Sequence, residues 1–223
     1  MKNKIHVLSY DAPHRKTQDL LLKLKMRGYT DINVYATPWV ERKNFQPLIP
    51  HRHLIAENIS LKDLCKNLSY TYTPIDIADI KLDNDDIMLI GGAGIIPKEL
   101  IGNTIINSHP AYLPNVRGLD SLKWAIFNGQ PIGVTTHIIN EHADAGYLIR
   151  RELVPLHYWD TFHSVAIRQY EMEIQMLVDS IEELSTAELT PLPTKGIVTR
   201  RMPHRYELKL MKKFQNIIDK KYD

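Results

Sequence analysis

Apolar and polar positions switch rhythm several times along the chain. Lys4–Tyr10 alternates and then runs apolar, as a strand does, and ends in the polar turn Asp11-Ala12-Pro13-His14-Arg15-Lys16. From Thr17 to Arg27 the apolar positions Leu20, Leu21, Leu22, Leu24 and Met26 fit an amphipathic helix closed by Gly28. Ile32–Ala36 returns to a β-rich run, so the opening reads strand–helix–strand. Ile59–Leu68 is a short amphipathic pattern, and Asp85–Ile90 and Thr104–Ser108 are strands. Leu119–Phe127 is a helix, Gly133–Ile139 a β-branched strand, and Leu148–Leu153 its antiparallel partner. A long helix is expected from Thr161 to Leu184 with Asp160 as its N-cap.

After that helix the pattern changes. Ser185–Thr194, rich in Thr and Pro, predicts an extended connector. Arg200, Arg201, His204, Arg205, Lys209, Lys212 and Lys213 form a basic tail that ends in a short helix with a solvated face. The fold class is therefore α/β. It is an open, mostly parallel, Rossmann-like sheet with flanking helices and a short helical C-terminal extension. Residues 1–184 are expected to form the catalytic domain and 185–223 the extension. No internal repeat or low-complexity tract is present.

Composition narrows the class. The chain has 223 residues, 43% hydrophobic and 24% charged, ordinary for a globular protein, and its net charge of +2 makes no case for nucleic acid. One cysteine, Cys65, excludes an internal disulfide framework and fits a cytoplasmic setting. Its amphipathic surroundings favour a packed thiol over a nucleophile. The apolar stretch Ile5–Leu8 behind Lys2 and Lys4 reads as a first strand, not a signal peptide, and no apolar run approaches the ~20 residues of a membrane span. Ten histidines invite a metal reading, but no helical His-x-x-x-His or Cys cluster supports one. His51 and His53 read as polar surface.

Gly91-Gly92-Ala93-Gly94 follows a strand but fails the dinucleotide spacing, because Ile95, Ile96 and Pro97 stand where the third glycine belongs. These glycines either let the backbone lie against a flat ligand or turn the chain. Asn107 and His109 are two apart at a strand end and so face one side. Asp144 sits in the loop after the Gly133–Ile139 strand. If the loops meet, Asn107 can donate to an oxygen gaining negative charge. His109 can donate to it too, or receive an amine proton, while Asp144 orients the imidazole. One such donor is worth ~3 kcal/mol of barrier. Spacing alone leaves structural roles for His109 and Asp144 equally open.

The pattern Asn-x-His-Pro-x-x-Leu-Pro-x-x-x-Gly, then Gly-Val-Thr-x-His and an Asp-x-Gly loop, resembles the folate-dependent formyltransferase family. That family includes glycinamide ribonucleotide, methionyl-tRNA and amino-sugar N-formyltransferases. The similarity runs from about Asp85 to Leu153 and more faintly over the N-terminal half. The resemblance implies formyl transfer from 10-formyltetrahydrofolate, a co-substrate, to a primary amine, with no metal and with Asn107, His109 and Asp144 catalytic. It implies that Gly92, Ala93, Gly94, Ile95 and Ile96 line the folate pocket, together with the loop Asn140, Glu141, His142 and Ala143. It makes His137 a supporting histidine.

The chain departs from the family where the acceptor would bind. The purine enzyme's Gly-Asn-Gly-Ser-Asn phosphate loop is replaced by Tyr10–Thr17. A phosphate would then fall to Asp11, His14, Arg15 and Lys16 or to the helix start at Thr17. Tyr112 replaces a leucine and could stack on a base or sugar, or pack. The segment Trp39–His53, which mixes aromatics with Arg42, Lys43, His51, Arg52 and His53, could receive an anionic nucleotide or be a surface loop. Residues 185–223 are too few for the β-barrel domain of the tRNA enzyme, so nucleic acid is not the expected partner. By elimination the acceptor is a small phosphorylated or nucleotide-linked amine, leaning to an amino sugar. Alternatives are glycinamide ribonucleotide and, in a different class, 10-formyltetrahydrofolate hydrolysis. A homodimer is compatible with this reading.

Overall fold

The computed structural model describes residues 4–40, 45–52, 55–142, 144–194 and 198–222. In chain order the elements are β1 (Ile5–Tyr10), α1 (Arg15–Met26), β2 (Ile32–Thr37), α2 (Leu61–Leu68), β3 (Thr71–Pro74), β4 (Ile87–Ile90), β5 (Thr104–His109) and β6 (Arg117–Gly118). Then follow α3 (Ser121–Asn128), β7 (Gly133–Ile138), β8 (Gly146–Leu153), α4 (Phe162–Glu183), β9 (Thr190–Leu192), β10 (Val198–Thr199), α5 (His204–Glu207) and α6 (Leu210–Tyr222).

Eight strands form one sheet in the order β3-β2-β1-β4-β5-β7-β8-β9. Pairing is parallel from β3 to β5 and antiparallel from β5 to β9. The chain leaves β1 toward β2 but leaves β4 toward β5. The strand order therefore reverses between β1 and β4, and the loops after them diverge at the carboxyl edge, where such sheets bind ligands. Buried Val7, Val34, Leu89 and Ile106 face a core with Leu20, Leu24 and Leu177, which places α1 and α4 on one side of the sheet. Leu8, Met88 and Ile105 pack on the other side against Ile80 and Leu100. The alternation along each central strand is thus spent on two apolar layers.

Several expectations are corrected in detail. The long helix is N-capped by Thr161, whose hydroxyl accepts from Ser164 N while Ser164 reciprocates, a capping box. Asp160 instead takes Arg168 on both carboxylate oxygens, at 2.9 and 2.8 Å. The helix expected from Leu119 starts at Ser121, because Leu119 N donates to Thr199 O at 2.9 Å. The expected connector contains β9, an edge strand on β8 that tolerates Pro191 there. The short strand β3 was not expected, and it extends the other edge.

The tail is likewise not wholly solvated. Leu210, Phe214 and Ile218 are buried with Ala125, Ile126, Phe162 and Val165, so α6 spends one face on α3 and α4. Two buried side chains, Lys123 of α3 and Glu207 of α5, form an ion pair inside this contact. Phe214→Ala should therefore cost about 3–5 kcal/mol in urea denaturation. A loss near zero would show that the extension docks without sharing the core.

Candidate functional site

The strand ends bring the three polar residues together. Asn107 pairs directly with His137 across the antiparallel β5–β7 ladder, so both side chains lie on one face. His109 follows at the end of β5, and its Nδ1 lies 3.1 Å from Oδ1 of Asp144. Asp144 adopts a left-handed backbone, φ +50°, which Asp tolerates better than most residues. Its second oxygen accepts the Gly118 backbone N–H at 2.6 Å. The carboxylate is thus held at both ends. Helix α4 steadies the loop after His109, since Gln169 Nε2 donates to the carbonyls of Pro110 and Gly133, both at 2.9 Å.

Hydrogen-bond chemistry fixes the imidazoles. A carboxylate and a carbonyl only accept, so neutral His109 carries its proton on Nδ1 toward Asp144. His137 likewise carries its proton on Nδ1 toward Ala145 O, 2.7 Å away. Each ring is left with a bare Nε2, and both of these buried atoms have no hydrogen-bond partner among the described residues. Burial holds His109 below its ordinary pKa, against the pull of Asp144 and Glu173. Burial, with His109 next to it, pushes His137 down to about 4. At neutral pH the site therefore holds two imidazole lone pairs.

A cleft of about 340 Å³ opens beside these groups. Asn107, His137 and Asp144 line it, with apolar walls from Ile90, Ile96 and Ile139. Of the residues expected to hold a flat ligand, Ala93, Gly94, Ile96, Asn140, Glu141 and His142 line the cleft. Gly92 does not: it packs under Tyr10 and His14, where a Cβ would stand 2.8 Å from the His14 ring. Ile95 points to solvent, and Ala143 lies outside the described residues. A second cavity of about 700 Å³ continues past Ile139–His142 toward Tyr147. Another cavity, of about 640 Å³, sits at the opposite sheet edge under Gly28 and Tyr29, remote from these loops.

The expected phosphate loop is largely occupied. Asp11 accepts from Tyr72 Oη at 3.0 Å, His14 meets Thr17 Oγ1 at 2.9 Å, and Arg15 pairs with Asp19 at 2.8 Å. Lys16 lies 2.8 Å from Oε1 of Glu173, whose other oxygen meets Arg52 at 3.1 Å. Burial would raise the Glu173 pKa, but Arg52 and Lys16 together hold it below the usual carboxylate range. Tyr112, expected as a stacking surface, packs on Gly133 and under the Arg151 guanidinium, 4.8 Å from its centroid. It does not line the cleft. His51 is half-buried and not polar surface; burial, with Arg52 and Lys123 nearby, lowers its pKa to about 3. Arg42, Lys43 and His53 lie outside the described residues.

Sequence reasoning missed Glu173, and it had Gly118 only as the closing glycine of the Asn-x-His-Pro pattern, without its bond to Asp144. Glu173 had a readable signal, because Gln169 and Glu173 stand four apart within the buried stripe of α4. Among the described residues no group of three or more His, Cys, Asp or Glu could hold a metal ion, and no helix is long and apolar enough to cross a membrane.

A ligand cleft at the carboxyl edge of an open sheet, with an amide and an imidazole–carboxylate pair, has the groups that acyl-type group transfer requires. The formyl transferase family model matches residues 70–181, and the chain belongs to that family. It is 28% identical over 128 residues to the methionyl-tRNA formyltransferase of Thermodesulfovibrio yellowstonii, covering 55% of this chain and 42% of that protein. It is 34% identical over 134 residues to the chloroplastic phosphoribosylglycinamide formyltransferase of Vigna unguiculata, again 55% of this chain and 42% of that one. The chain thus spans less than half the length of these curated relatives. The fold matches that of an N-formyltransferase from Helicobacter canadensis solved with folinic acid and dTDP-3-aminofucose. There the TM-score is 0.63 at 14% identity, over 100% of this chain and 83% of the other.

The two buried imidazoles predict a pH signature. The folded-state pKa of His137 is depressed from 6.5 to about 4, so the unfolded chain binds the proton first as pH falls. Its contribution is fully present above about pH 6.5 and disappears as pH drops through about 4, amounting to about 3 kcal/mol. His137→Gln should flatten urea-denaturation stability across this window. An unchanged slope would show that His137 is not held neutral.

Proposed function

We propose that this chain is an N-formyltransferase that moves a formyl group from 10-formyltetrahydrofolate to a primary amine, and that the amine belongs to a nucleotide-linked amino sugar. The observation that carries the reading is the His109–Asp144 pair, 3.1 Å apart, with a bare Nε2 on the buried ring and with Asp144 and Asn107 lining the cleft. The cleft fits a flat heterocyclic co-substrate. Its size lies in the usual ligand range, its walls are isoleucines, and the orphaned Nε2 of His137 is an acceptor awaiting an N–H or O–H. Family membership and the folate and nucleotide-sugar ligands of the Helicobacter canadensis protein support the donor and acceptor classes.

When bound, the co-substrate supplies a formyl carbon as electrophile and a folate nitrogen as leaving group. The chain's residues then divide the work. The acceptor nitrogen forms a bond to the formyl carbon, and Asn107 donates to the oxygen that becomes negative. His109 Nε2 takes the proton that the attacking nitrogen loses, and Asp144 holds the resulting imidazolium. The same proton passes to the folate nitrogen as its bond to the formyl carbon breaks. No covalent enzyme intermediate is required.

The acceptor's anionic group is assigned to Arg52. Arg15 and Lys16 are already paired with Asp19 and Glu173, while the Arg52 guanidinium, about a third exposed, shares Glu173 with Lys16. Two cations on one carboxylate leave a local positive charge for a phosphate. Trp39, half-exposed and edge-on to Tyr10 at 4.9 Å, offers a planar surface at the same edge of the sheet.

His109→Ala and Asp144→Asn should each lower kcat on the order of 10²–10⁴-fold with little change in folate affinity. Full turnover in both variants would sink the assignment. Arg52→Ala should raise the acceptor KM roughly tenfold while sparing folate binding, and Arg15→Ala should change neither. Initial-rate kinetics in both substrates separates these outcomes, and an unchanged acceptor KM in Arg52→Ala would place the anion elsewhere.

A further inference from the structure

The carboxylate of Asp144 is fixed by a main-chain donor that the C-terminal extension itself holds. Gly118 N donates to Asp144 Oδ2 at 2.6 Å, while Oδ1 faces His109. Gly118 belongs to β6, a two-residue strand whose partner is β10, with Thr199 opposite Gly118. The Thr199 hydroxyl is shared between the carbonyls of Arg117, at 2.6 Å, and Leu119, at 2.9 Å, and Thr199 O accepts Leu119 N at 2.9 Å. Both neighbours of Gly118 are therefore tied to one threonine. Gly118 has φ +90°, and a Cβ there would collide with the Thr199 backbone. The two strands meet as closely as glycine allows.

The rest of the extension anchors β10 in place. Asp120 takes Met202 N at 2.9 Å and Arg201 Nη1 at 2.8 Å, and Trp124 Nε1 donates to Arg200 O at 2.8 Å. Buried Glu207 accepts Lys123 and the Leu48 N–H. These bonds join the extension to α3 and, through Leu48, to the segment that carries Arg52.

We infer that Thr199 is a positioning residue: by clamping the Arg117–Leu119 peptides it aims the Gly118 N–H that orients Asp144 toward His109. The inference rests on the proposed role of the His109–Asp144 pair. It adds that the extension, which looks like an appendage in sequence, completes the reacting site. A carboxylate held by one bond instead of two can rotate, and the imidazole it steadies then loses its aim.

Thr199→Val keeps the shape and the main-chain bond and removes only the hydroxyl. It should lower kcat about tenfold or more, leave both KM values within about twofold, and move the His109 Nδ1–H proton resonance. Thr199→Ser should restore all three. A merely structural threonine would change thermal stability without moving that resonance. Wild-type kcat with an unmoved resonance in Thr199→Val would overturn the inference. Asp144→Asn is run alongside: if it also keeps full turnover, the catalytic reading has failed, and if it loses turnover, only the positioning role has. Should Thr199→Val not fold, amide exchange in the unaltered chain still decides. Gly118 N–H is expected to exchange as slowly as Leu119 N–H, and a fast-exchanging Gly118 overturns the proposal.

Discussion

Asp144 stands at the place where two loops and a strand end converge, and its two oxygens are spoken for by different parts of the chain. One faces Nδ1 of His109 and the other takes the N–H of Gly118. The first contact sets the tautomer that leaves Nε2 bare, and the second keeps the carboxylate from turning away. Everything around them serves to keep this fork still. The β5–β7 ladder sets Asn107 opposite His137, Gln169 of α4 holds the peptide after His109, and β10 holds the strand that contains Gly118. A half-buried carboxylate with two oriented partners is tolerated where a loose one would not be.

Two other buried acids tie distant segments to the same region. Glu173 joins Lys16 of α1 to Arg52, and Glu207 joins Lys123 of α3 to the backbone at Leu48. Neither pair is a simple gain in stability, since taking such charges out of water costs several kcal/mol per ion. What they provide is direction. An apolar contact between α5 and α3 could slide, whereas Glu207 seats the extension in one register and brings the Leu48–Arg52 segment with it.

Much of the fold was legible because periodicity reports burial directly. The strand runs at Ile5 and Gly133, the leucine stripe of α1 and the long α4 were readable, since each element buries a regular face. The trio Asn107, His109 and Asp144 was readable as a constellation, but its geometry was not, because Asp144 reaches His109 only through a left-handed loop backbone. The acceptor loop misled. Arg15 and Lys16 look available in sequence, yet their partners Asp19 and Glu173 lie one turn and well over a hundred residues away. Thr199 gave no signal, because a two-residue strand has no period; Gly118 closes the Asn-x-His-Pro pattern, but its work as a main-chain donor does not show in its residue type. The basic count of the tail hid the apolar face of α6, whose Leu210, Phe214 and Ile218 recur every four residues.

The central claim is that the His109–Asp144 pair next to Asn107 directs a formyl group to an amine and not to water. It is tested most directly by following an isotope-labelled formyl carbon. The chain is incubated with labelled 10-formyltetrahydrofolate and a nucleotide-linked amino sugar, and the label is traced by mass spectrometry. The account predicts that the label appears in an amide on the sugar, at a rate set by the amine, with no free formate when the amine is omitted. Label released as formate with or without the amine would contradict it.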